Sequence, residues 1–250
     1  MLSVPSIASL SRYDTDGSLV IRTIIARWLY LEIFSRGLSG IFPRIEGLLD
    51  AQFLERAAAP KRSTLERRRW YQLTYASIVA LPNYPQAREA RATQLATSLE
   101  QLFAFLHPAD ATYERVLKDI IVPAMRLQER AALTVQQHNF NFYDFPEDPT
   151  NEFLEQFAGM ADKAITCKDI TRDSRTISFT DGSPEELAKK ALPICCVGPL
   201  ITFRDPEKDP ESISLTRRAL VICTSGDRTQ HLQNVRPSLF HSLFEQHSKR

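Results

Sequence analysis

The residue types suited to covalent chemistry gather late in the chain. Cys195 and Cys196 are adjacent, and Cys223, Asp227 and His231 follow within one short stretch. A thiol beside an imidazole is the pairing cysteine nucleophiles use: the base takes the thiol proton and a carboxylate orients the base. The competing reading is structural, because cysteine is among the most buried residue types and Ile194 and Val197 flank the adjacent pair. His107, His138, His241 and His247 share no convincing face with another His, Cys or Asp, so the spacing signals neither a metal site nor a cofactor.

Two further groups of residues suit binding. Lys61, Arg62, Arg67, Arg68 and Arg69 form a dense basic cluster, followed at once by Trp70 and Tyr71, a composition compatible with phosphate contact and base stacking. Against nucleic acid stands the overall charge: 31 Lys+Arg balance 30 Asp+Glu, so no global field draws a polyanion. The same arginines fit a solvated helix start, or partners for the acidic stretch 144–155. Phe140, Phe142, Tyr143 and Phe145 either grip a partner or strap a connecting loop across a hydrophobic body.

No Gly-rich dinucleotide loop, P-loop, GxSxG elbow or HExxH helix occurs in the sequence. The N-terminal stretch carries Arg12, then Asp14 and Asp16, and reads as neither a secretory signal nor a transit peptide. Four cysteines without a spaced framework suggest reduced thiols in an intracellular, cytoplasm-like compartment. The most apolar run, residues 19–34, is broken by Arg22, Arg27 and Glu32, so no membrane span is expected.

The elements that must position these residues read as helical through the first two-thirds of the chain. With 43% hydrophobic and 24% charged residues, the 250-residue chain has the balance of an ordinary folded protein; only 8 are glycine. Apolar periodicity predicts helices at 18–36, 44–58, 64–81, 85–107 and 110–135, the last kinked at Pro123 or divided there into two shorter helices. The third is expected to bury Trp70, Leu73, Ala76 and Ala80. The fifth should bury a stripe through Ile120, Ala124 and Leu127. A sixth helix, 150–165, is expected to pack back on these.

Beyond residue 170, strands are predicted at 176–180, 200–204 and 217–224, forming a small antiparallel sheet. Ser183, Pro184 and Glu186 read as a capping box opening another helix, with Cys195 and Cys196 after it, and residues 237–247 read as a terminal helix.

Three stretches, ARWLYLEIF, DIIVPAMRLQER with the aromatic segment after it, and SPEELAKKALPICCVGPL, resemble uncharacterised helical proteins of filamentous fungi. The resemblance implies provenance; that group has no assigned activity, so it implies no site residue.

The expectation is therefore a mainly α protein: a loose N-terminus (1–17), a bundle of five or six helices (18–165) and a small α+β unit (166–250). The function expected is non-enzymatic interaction with another protein or with a second copy, through Phe140, Phe142, Tyr143, Phe145, Arg67, Arg68, Arg69 or Trp70. The alternatives are an enzyme or small-molecule site using Cys223, Asp227 and His231 where the C-terminal unit meets the bundle, and nucleic-acid binding through residues 61–71.

Overall fold

A computed structural model describes residues 7, 10–13, 17–48, 63–103, 111–146, 149–161, 163–170, 175–177, 191–209 and 212–224. Among the described residues, helices take 54% and strands 22%, with seven strands in two sheets. This overturns the expectation of an all-α helical bundle with a small appendage: the chain is an α+β mixture. The expected Ser183 capping box, Asp227, His231 and the terminal helix lie outside the described residues.

The chain forms two compact units. One comprises Met1–Trp28, Asn139–Thr202 and Leu215–Arg250, the other Leu29–His138 and Phe203–Ser214. A three-stranded sheet has the order β1–β5–β6, built from β1 (Gln137–Asn141), β5 (Leu200–Arg204) and β6 (Ser214–Arg217).

In the first unit a four-stranded sheet runs β3–β2–β7–β4, built from β2 (Ile165–Asp169), β3 (Arg175–Ile177), β4 (Leu192–Gly198) and β7 (Ala219–Thr224). It is mixed, not purely antiparallel: β2 runs parallel to β7, while β3 and β4 pair antiparallel to their neighbours. The sequence LPICCVG of β4 is buried at six of its seven positions, so the alternation that marks a half-exposed strand is absent and the segment passes for the end of a helix. Cys195 and Cys196 thus sit in a strand.

Helix α6 (Asn151–Met160) opens on Thr150, whose hydroxyl accepts the Phe153 N–H at 3.2 Å. It presents Phe157 and Ala158 to Ile165, Cys167, Ala219, Val221 and Cys223. The sixth predicted helix therefore buries its stripe on strands rather than on other helices. Ile7 and Leu10, within the stretch expected to be loose, are fully buried.

The chain reaches the second unit along α1 (Ser18–Leu29), which passes into a π-turn, Tyr30–Phe34. Ser39 (φ 60°) and Gly40 (φ 68°) reverse the chain, and the N–H groups of Leu38, Gly40 and Phe42 converge on the buried Glu46 carboxylate at 3.2, 3.2 and 3.1 Å. Helix α2 (Thr64–Val79) starts at a complete Ser63–Glu66 capping box. It buries Tyr75 and Ile78, with Trp70 and Tyr71 partly covered, while Leu73 is 68% exposed. The arc predicted through Leu73 is thus displaced. Helix α3 (Tyr84–Leu102) buries Ala92, Leu95, Ala96 and Leu99, the face read from its periodicity.

Ahead of Pro123 the helix departs from α geometry. Helix α4 (Ala111–Arg115) widens into a π-turn, Val116–Ile121, before α5 (Val122–Ala132) begins. Proline offers no N–H, and the bond closing the wide turn comes instead from Val122 N–H to the Leu117 carbonyl. One extra residue in the turn rotates α5 about its axis, so Ile121, Ala124 and Met125 are buried and Leu127 is 55% exposed.

Candidate functional site

The basic cluster is spent mainly on the protein itself. Arg68 lies on the flank of α2 that faces the turn after α5, where the chain has left the helix and its carbonyls need donors from elsewhere. Its Nε donates to the Val135 carbonyl at 3.1 Å, and its Nη2 to those of Thr134 and Gln136 at 3.2 and 2.8 Å. The guanidinium also stands 6.0 Å from the centre of the Tyr71 ring. Burial lowers the Arg68 pKa, opposed by Tyr71 and Tyr75. Arg68 is therefore a clasp on the α5–β1 turn.

Arg69 instead pairs with Glu207 at 3.2 Å, both side chains more than half exposed. Arg67 reaches Thr64 Oγ1 at 3.4 Å, and Trp70 packs edge-on to Tyr71. Lys61 and Arg62 lie outside the described residues. In the first unit the Asp144 carboxylate pairs with Arg27, at 2.7 Å.

The clasp creates a cleft. With the α5–β1 turn pinned by Arg68, the adjoining face of α2 and the turn enclose about 460 Å³. Gln72 and the exposed Leu73 form one wall, and Leu133, Val135 and Gln136 the other. The Arg69–Glu207 pair stands at the edge. Asp205 steadies that edge, accepting the Glu207 N–H at 3.2 Å and the Gln136 amide at 3.5 Å. An apolar floor bordered by two amides and an exposed ion pair suits an apolar anchor with hydrogen-bonding groups around it. Leu73 is the residue that sequence reasoning misplaced, and no single-sequence pattern distinguishes it from a core leucine.

The aromatic run belongs to the first unit's interior. Phe145 is buried and meets Phe153 and Phe157 edge-on, with ring centres 6.2 and 5.7 Å away. Phe142 and Tyr143 pack against the same core, and the nearly buried Arg27 lies 5.4 Å from the Phe142 ring centre while donating to the Tyr143 carbonyl at 3.3 Å. Phe140 is half-buried in β1. These rings strap their segment down.

All four cysteines are free and buried. Cys223 is held well above the ordinary thiol range, first by its hydrogen bond with Cys167, then by burial and by the charges of Cys167 and Asp169. Burial also pushes Cys196 up. A nucleophilic cysteine needs the opposite shift, toward thiolate. Among the described residues no His, Cys, Asp and Glu cluster is placed to hold a metal ion. None of their helices is long and apolar enough to cross a membrane.

No protein-family model, no curated protein and no solved structure matches the chain.

Proposed function

We propose that the protein is a non-enzymatic interaction or regulatory protein that seats an apolar side chain of a protein partner, or of a second copy, in the α2/α5–β1 cleft. The observation that carries this is Leu73. It is 68% exposed on a helix that buries Tyr75 and Ile78, and it borders a cavity of about 460 Å³ whose far wall includes Leu133 and Val135. Four free thiols support a reducing, cytoplasm-like compartment.

The test is Leu73→Asp. Because the side chain is exposed, the variant should melt with the wild type, while affinity for the partner recovered with the wild-type protein, or for the protein itself in sedimentation, should fall by at least about tenfold. Retention of that same interaction at full strength by Leu73→Asp removes the proposal.

A further inference from the structure

A second cleft, of about 360 Å³, lies between α3 and the start of α5, on residues the partner reading does not use. Its walls include Leu117 and Val122. These two residues are the acceptor and donor of the π-turn's closing hydrogen bond. Five residues apart, they would diverge by roughly 140° on an α-helix; the wider turn swings both toward one side. Ala92 and Met125, both buried, complete the apolar floor. A turn that is rare in helices is thus what gives this cleft its shape.

The mouth carries charge of both signs. Glu89 projects from α3 and Arg126 from α5, both exposed. Neither has a hydrogen-bond or ion-pair partner among the described residues, and they do not pair with each other. Arg88, also at the cleft, is already committed. Its Nε lies 3.4 Å from Glu129 Oε2, which accepts the Tyr84 hydroxyl at 3.1 Å. Burial and Glu129 together raise the Tyr84 pKa, so that phenol remains a donor and keeps Glu129, and hence Arg88, in place. The open charges lining the cleft are therefore one cation, Arg126, and one anion, Glu89, on the two helices that wall it.

We infer that this cleft binds a zwitterion with an apolar side chain. Its carboxylate faces Arg126, its ammonium faces Glu89 and the Thr93 hydroxyl, and its side chain enters between Leu117, Val122 and Met125. A free apolar α-amino acid and a short apolar peptide with free ends share this chemistry. A simple fatty carboxylate does not, since it brings no cation for Glu89 to pair with.

The test is titration of the full-length protein, followed by calorimetry and by amide shifts, with leucine, phenylalanine, Leu-Leu and Leu-Leu-Leu, each to about 10 mM. The order among the four separates the two sources. Blocked analogues read the two charges: N-acetyl-leucine lacks the ammonium and leucinamide lacks the carboxylate. Wild type should prefer leucine, or the peptide, over the matching blocked forms by about tenfold or more. Arg126→Gln should lose the discrimination against the amide while keeping that against the acetylated form, and Glu89→Gln should do the reverse. A purely structural role would not produce that crossed pattern. Absence of binding by all four ligands at about 10 mM overturns the inference. So does equal binding of blocked and unblocked forms, or wild-type discrimination in both variants. Leu73→Asp leaves this cleft untouched, so the outcome is independent of the partner reading.

Discussion

Replacing Arg68 by Met removes three charge-assisted hydrogen bonds while keeping most of the aliphatic stem. Each such bond contributes about 1.5–3 kcal/mol when its groups are withdrawn from water. The full sum is not realised. Burial disfavours the guanidinium itself, as its lowered pKa records, and the turn's carbonyls are half-buried and recover water when released. The net loss comes to about 2–4 kcal/mol, or about 5–15 °C in Tm for a chain of this size. Arg69→Ala is the internal comparison, since its exposed pair with Glu207 contributes about 0–1 kcal/mol. The assay is thermal and urea unfolding of both variants beside wild type. Arg68→Lys should fall between, because an ammonium keeps the charge but not the planar fork. Equal, small losses for Arg68→Met and Arg69→Ala would refute the clasp and with it the account of how the cleft is walled.

Neighbouring features lead to three other outcomes. Gly37→Ala should destabilise by about 1–3 kcal/mol, because the new methyl would collide with the buried Tyr75 hydroxyl, whereas Gly47→Ala, with nothing near it, should be neutral or stabilising by up to about 1 kcal/mol in chemical denaturation. The His138 pKa lies below its ordinary value of 6.5 through burial first and the Arg68 charge second, so its proton NMR titration midpoint should fall below 6.5 and rise in Arg68→Met. Because the folded value is the lower one, protonating His138 favours the unfolded chain, and its effect on stability grows as pH falls through the unfolded value. A thiol reagent should label none of the four buried cysteines in the native protein and all four in denaturant; rapid native labelling would contradict the packing around β2, β4 and β7.

Where one face of an element meets the core, its residues announce it. Ala92, Leu95, Ala96 and Leu99 recur at helical spacing because α3 has one covered side, and that face is legible without coordinates. The ion pair of Glu32 and Arg36, four apart, is likewise present, at 3.3 Å. Legibility fails where tertiary context sets the pattern. Strand β4 is covered on both sides, so its run of apolar residues carries no period. Strand β1, QHNFN, has only one strongly apolar residue and owes its pairing to β5. The π-turn shifts the α5 face by one residue, which is why Met125 is inside and Leu127 outside. The arginine cluster stands out in the sequence, yet the fate of Arg68 depends on carbonyls more than sixty residues away.

Site-specific photo-crosslinking tests the partner-binding reading most directly. A photoreactive amino acid placed at Gln72, on the cleft wall, and separately at Gln156, exposed on α6, gives two probes that differ only in position. A single crosslinked species at position 72, missing at 156 and suppressed by Leu73→Asp, is the predicted result. The same species from both positions, or a crosslink at 72 that survives Leu73→Asp, contradicts the account.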